Sequence, residues 1–213
     1  MREREPMGKD KRFLDKAYSV KTDAQTRSFY DQWAEVYDEE VAENAYQQPR
    51  RCAQALAGLT APSETTILDV GCGSGLSGIA LDVAGFQTID GCDFSPGMLA
   101  KAGKTNVYRR LFETNLNEPP MDAPDGRYDA AACVGVFSFG HVKAEALDDI
   151  LRVLKPAGAL VIGLNDHFYE EGSLTTRLEL LESEGLMEIL DREHGEHMPG
   201  TGLKGWVITA RKH

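Results

Sequence analysis

Three glycines spaced two apart, Gly71, Gly73 and Gly75, follow the apolar run Ile67-Leu68-Asp69-Val70 and carry the plainest chemical consequence in the chain. Without a Cβ, a backbone can turn sharply at a strand end or come close to a ligand. Twenty residues after Gly73, a second β-like run, Thr88-Ile89-Asp90-Gly91-Cys92, ends in Asp93. A carboxylate there can accept both hydroxyls of a ribose, so the two features point to a nucleotide-containing cofactor. Asp69 is a further candidate, because a carboxylate at the buried end of a strand is costly unless it binds something.

These residues need a particular scaffold. Leu76, Ile79, Ala80 and Val83 have helical spacing, so a strand, a glycine turn and a helix follow in order, and the helix presents its free N–H groups to the turn. Ser95 then supplies an N-cap and Pro96 a first-turn proline for a helix through Met98, Leu99 and Ala102. Together these make a βαβα half of a doubly wound fold. The glycines admit two registers. Gly73-Ser74-Gly75-Leu76-Ser77-Gly78 matches the G-x-G-x-x-G of dinucleotide enzymes, whereas Asp69-Val70-Gly71-Cys72-Gly73-Ser74-Gly75 spells a different motif.

That second string resembles motif I of the class I S-adenosylmethionine-dependent methyltransferases, with Asp93 in the motif II position. The stretch of about sixty residues before the first core strand and the β-rich segment Gly205 to Arg211 fit the same family. Tyr30-Asp31-Gln32-Trp33-Ala34-Glu35-Val36-Tyr37-Asp38 is similar to its Y-D-x-W-A-x-x-Y-D segment. With the later V-G-V-F-S-F-G-H-V at 134–142, residues 30–50 also resemble a group of methyltransferase-like proteins from the Williams–Beuren syndrome region and bacteria.

The resemblance implies a Rossmann-like, seven-stranded α/β fold of strand order 3-2-1-4-5-7-6 with an N-terminal helical cover, and S-adenosylmethionine as cofactor. Gly71, Cys72 and Gly73 would contact its methionine and ribose, and Asp93 the ribose hydroxyls. Asp69 would meet the methionine ammonium or N–H groups of the turn. Phe94 and Met98 would take the adenine face, and Asn115 and Leu116 its edge. Asn115 stands where the family often has an acid, yet its side-chain oxygen still accepts from an amine. Val134 and Gly135 would flank the methionine portion, with Gly135 letting the backbone approach. Tyr37 would reach the cofactor's carboxylate end, and Tyr30 is a weaker contact of the same kind.

Length and composition set bounds. With 213 residues the chain is expected to form a single domain, divided as a charged tail at 1–28, a helical cover at 29–62 and a Rossmann-like core at 63–213. Four cysteines, at 52, 72, 92 and 133, make no C-x-x-C pair and no zinc spacing, so we expect reduced thiols, no metal and a cytoplasmic setting. No apolar run approaches a membrane span, and the amino terminus is too charged for a signal peptide. The net charge of -11 is uneven, +3 over residues 1–28 and -14 beyond, and an acidic body argues against nucleic acid as the main partner. A monomer or homodimer is expected.

Further along, Asn106 to Phe112 reads as the third strand and Asp129 to Val134 as the fourth. Phe29, Trp33, Val36 and Tyr37 have helical spacing, and Gln47-Gln48-Pro49 breaks a helical stretch at 39–59. His141, after the fourth strand, has two readings: a base near the methyl-transfer point, or a polar residue at the start of the helix carrying Leu147, Ile150, Leu151 and Leu154. Phe137 and Phe139 serve equally as core, cofactor wall or substrate wall. Ala157 replaces a glycine of the family's L-K-P-G-G turn, and Ala159 to Leu164 is the fifth strand. Asn165 to Tyr169 is expected to open a substrate-facing loop, in which Asp166-His167 is an acid–base pair, a metal site or plain surface. Thr176-x-x-Glu179 offers a capping box. Met187–Glu193 and Leu203–Arg211 would close the sheet as a hairpin with His194, His197 and Met198 in its connection.

The expected activity is methyl transfer from S-adenosylmethionine to a small molecule by in-line displacement. The alternatives are an NAD(P)-dependent oxidoreductase using the overlapping glycine register, and a non-catalytic protein that binds the cofactor or its product.

Overall fold

A computed structural model describes residues 23–33, 43–137 and 142–213. The elements are α1 (Asp23–Trp33), α2 (Gln48–Ala57), β1 (Thr66–Val70), α3 (Leu76–Val83), β2 (Thr88–Asp93), α4 (Pro96–Ala102), β3 (Tyr108–Glu113) and β4 (Tyr128–Val134). They continue as α5 (Ala146–Val153), β5 (Leu154–Asn165), α6 (Asp166–Glu171), α7 (Ser173–Ser183), β6 (Met187–Met198) and β7 (Leu203–Lys212). One seven-stranded sheet has the order β3-β2-β1-β4-β5-β7-β6 that the family resemblance implies. The first five strands run parallel, and β7 pairs antiparallel with both β5 and β6.

Alternation divides the side chains of each central strand between two cores. On one face Ile67, Ile89, Ala130, Ala132 and Val161 pack under Leu56 of α2 and Leu81 of α3. On the other, Leu68, Val70, Ala131, Cys133, Leu160 and Ile162 meet Leu147 and Ile150 of α5 and Leu178 and Leu181 of α7. Asp69 shares the first face with Ile67, since residues two apart in a strand point the same way. All four cysteines are free and buried.

Several boundaries differ from expectation. The third strand starts at Tyr108 because a 3-10 turn at Gly103–Thr105 ends in Asn106 with φ 59, a left-handed residue that cannot extend a strand. Ala157 adopts φ 61, the conformation that glycine would take without steric cost. The segment expected as a loop after Asn165 is the helix α6, capped by the Asn165 side chain accepting from Phe168 N–H at 3.2 Å. There is no capping box at Thr176: α7 begins three residues earlier, after Gly172, and Thr176 N–H already bonds to Gly172 O at 3.0 Å. His194, His197 and Met198 lie within β6 and not in a connection. α1 crosses the 28/29 boundary between the expected tail and cover.

Candidate functional site

The glycine turn is built as its residue types require. Gly71, Gly73 and Gly75 have φ of 63, 53 and 100, all left-handed. A Cβ on Gly73 would meet nothing within 4 Å, so this backbone faces open space. A Cβ on Gly71 would stand 2.7 Å from Val136 Cγ2, which leaves no room for a larger residue.

Asp93, at the end of β2, closes this turn onto the next helix. Its Oδ2 accepts from Gly73 N–H and its Oδ1 from Ser95 N–H, both at 2.9 Å. Burial raises its pKa, while the N–H donors of Ser95, Gly73 and Phe94 work against that shift. Three donors leave an acceptor position open, so the carboxylate is fixed in orientation yet able to accept again. Ser95 caps α4 as expected, its Oγ accepting from Met98 N–H at 3.1 Å.

These groups border a cleft enclosing about 850 Å³ of empty space, part of it open to solvent. Of the residues expected at the cofactor, Gly71, Gly73, Asp93, Phe94, Met98, Asn115, Leu116, Val134 and Gly135 line it. Asp69 and Cys72 are not on its wall. Asp69 is buried behind the turn, and the Cys72 N–H is spent on Cys92 O at 2.9 Å. Asn115 Oδ1 accepts from Asn117 N–H at 3.0 Å, so the oxygen expected to read an amine also holds its own turn. Tyr37 and His141 lie outside the described residues.

The wall also includes Val136, from the stretch after the fourth strand, and residues not anticipated from sequence: Arg27, Ser95, Thr114, Asn117 and Val142. Arg27 comes from α1, bonds to Glu113 at 2.8 Å and lies 5.5 Å from the centre of the Phe94 ring. Nothing in the charged amino-terminal stretch distinguished it. Tyr30 lines the cleft from the same helix. Asp31, beside it, anchors α1: its Oδ1 accepts from Ser95 Oγ at 2.5 Å and from Gly97 N–H at 3.0 Å.

At the β4 end, a Cβ on Gly135 would stand 3.0 Å from the Tyr46 hydroxyl. Tyr46 packs edge-on against His197, ring centres 5.1 Å apart. His197 Nδ1 is 3.1 Å from Gln48 Oε1, which also accepts from Arg51, so that nitrogen carries the proton. Burial and the nearby Arg51 lower the His197 pKa to about 4. Asp166 pairs with His194 at 2.9 Å. Among the described residues no group of three or more acidic, histidine or cysteine side chains has the arrangement of a metal site, and no helix is long and apolar enough to cross a membrane.

The donor set suits S-adenosylmethionine. A fixed carboxylate lies beside the bare backbone of Gly71 and Gly73, and apolar side chains of Phe94, Met98, Leu116 and Val134 share the same cleft. Gly78, essential to the dinucleotide register, does not open toward a ligand, because a Cβ there would collide with the Tyr108 ring.

Comparison with known proteins agrees. The family model described as a methyltransferase domain matches residues 67–158. Human methyltransferase-like protein 27 is 37% identical over 180 residues, covering 81% of this chain and 72% of the relative. The 2-methyl-6-phytyl-1,4-hydroquinone methyltransferase of Synechocystis is 29% identical over 71% of this chain, which spans 50% of that protein. Among solved structures, the [4+2]-cyclase SpnF superposes with a TM-score of 0.66 at 20% identity, covering 91% of this chain and 97% of that one. A possible histamine N-methyltransferase from Thermotoga maritima gives 0.61 at 17% identity, covering 86% and 97%.

Proposed function

We propose, from the premise that this chain belongs to the S-adenosylmethionine-dependent methyltransferase family, that it methylates a small-molecule acceptor by in-line transfer. The observation that carries the reading is Asp93, locked by Gly73 and Ser95 N–H groups on the wall of the cleft. When bound, the cofactor supplies an activated sulfonium methyl. The protein's part is to hold donor and acceptor in line and exclude water. Asp93 would accept the ribose hydroxyls, Gly71 and Gly73 would let the backbone approach the methionine end, and Phe94 and Met98 would cover adenine.

A small acceptor is supported by the side chains that stand on and beside the cleft. The Tyr46 hydroxyl stands over Gly135, and α1 brings Arg27 and Tyr30 to the cleft. The relative from Synechocystis is named for a hydroquinone acceptor, which is in keeping with this.

Two measurements test the reading. Calorimetric titration should give micromolar binding of S-adenosylmethionine and its demethylated product, loss of both in Asp93→Ala, and none of NAD. Incubation of the protein with methyl-labelled cofactor and a cell extract should then place the label in the dialysable fraction. Label confined to macromolecules would reject the small-molecule acceptor while leaving the cofactor assignment standing.

A further inference from the structure

Three carboxylates with almost no exposure lie among the described residues, and two are fully satisfied. Asp90 Oδ1 accepts from Arg109 Nε at 2.9 Å, and its Oδ2 from Arg109 Nη2 at 2.7 Å and the Tyr128 hydroxyl at 3.1 Å. Asp149 accepts from Arg152 Nε at 2.6 Å on one oxygen and from Met121 N–H at 2.7 Å on the other. Asp69 is the exception. Its Oδ2 takes two donors, Ser77 Oγ and the Tyr108 hydroxyl, each at 2.7 Å, while its buried Oδ1 has none. A buried acceptor without a partner costs about 1–3 kcal/mol, so a fold that satisfies its other buried acids has left this one open at a price in stability.

The donors are placed at some steric expense. The Tyr108 ring crosses from β3 over Gly91 of β2 and Gly78 of α3, and a Cβ on either glycine would collide with it. The third glycine of the apparent dinucleotide motif is therefore there for this tyrosine. Asp69 lies two residues before Gly71, directly behind the turn that faces the cleft.

We propose that Tyr108 and Ser77 are positioning residues for cofactor binding: by holding Asp69 Oδ2 from behind, they keep its carboxylate ionised beneath the glycine turn and so favour the cationic methionine end. The proposal rests on the cofactor assignment above. Burial raises the Asp69 pKa to about 7, against the pull of the Ser77 and Tyr108 hydrogen bonds, with Asp93 adding to the rise. The other groups that face it are the thiols of Cys52, Cys72, Cys92 and Cys133, each pushed up by burial and uncharged at neutral pH, and the Tyr108 phenol, pushed up likewise. Asp69 thus changes charge near neutrality, and losing a hydroxyl donor moves that change to higher pH.

The test is the pH profile of the dissociation constant for S-adenosylhomocysteine, by calorimetry from pH 6 to 8.5, on the full chain and three variants. Wild type should bind more tightly as pH rises through about 7. Tyr108→Phe, which keeps the ring packing, should move that rise upward by about one unit, weakening binding several-fold at pH 7 but less than twofold at pH 8.5. Asp69→Asn should flatten the rise. If Tyr108→Phe is unfolded by circular dichroism, Ser77→Ala removes the other donor and should shift the profile in the same direction. A variant profile superimposed on that of wild type, or an Asp69→Asn profile that keeps the rise, overturns the proposal. Absence of binding by wild type would instead reject the cofactor assignment beneath it.

Discussion

Asp69 also couples the fold to pH. Its folded pKa of about 7 lies above the unfolded value of about 3.9, so between these limits the folded chain holds a proton that the unfolded chain has released. Its contribution is fully present below pH 4 and is lost as pH rises through 7, a loss of about 4 kcal/mol. Asp69→Asn removes that dependence, so its urea midpoint should gain on wild type as pH is raised from 5 to 8. A constant difference between the two would show that Asp69 does not titrate in the fold. At this same scale the glycine turn, Asp93 and the Ser95 cap were all readable from residue type and spacing, because each works through its own backbone neighbours. Arg27 and Tyr108 were not, since their roles depend on a strand or helix brought in from elsewhere in the chain.

The element that most shapes the cleft is α1. It carries Arg27 and Tyr30 to the wall, and Asp31 ties it to the first turn of α4. Asp31→Ala removes the acceptor for two donors, so the helix should open more often. We expect cofactor affinity to fall roughly tenfold as the bound form becomes the minority conformation. Faster proteolytic cleavage between α1 and α2 in the free variant, slowed by S-adenosylhomocysteine, would accompany it. Unchanged affinity would mean that the Asp31 contacts are not what holds α1 on the cleft. Among the elements, β1 and β4 follow the expected spans to within a residue because a strand covered on both faces reads as a largely apolar run, and β2 was marked by its β-branched start and the acid at its end. β6 does not. As an edge strand it carries exposed Glu188, Asp191, Glu193 and Glu196 and a glycine at 195, so its last residues looked like a loop. α6 and the start of α7 were hidden for a related reason: a six-residue helix held by one asparagine cap has no period to detect.

At the scale of the whole molecule, a net charge of -11 favours a cationic ligand, and S-adenosylmethionine carries one positive charge more than its demethylated product. Raising sodium chloride from 50 to 500 mM should therefore weaken the donor about threefold more than the product in paired calorimetric titrations. Equal weakening would confine the selectivity to local contacts. The molecule is also joined across its length. Gln48 Nε2 donates to Trp206 O at 2.5 Å, and Arg51 donates to Glu196 O at 2.9 Å and to Gly205 O and Glu193 O at 3.2 Å. These partners lie 142 to 158 residues downstream, and β7, which carries two of them, is inserted between β5 and β6. On the ribosome, α2 emerges first and must wait for them. At about 5–20 residues per second the interval is roughly 7–30 s, during which the guanidinium, the amide and the open edge of β5 lack these partners. Until β7 emerges, β5 presents a strand edge open to pairing with other chains, so slow completion of the chain is the stage at which aggregation competes with folding.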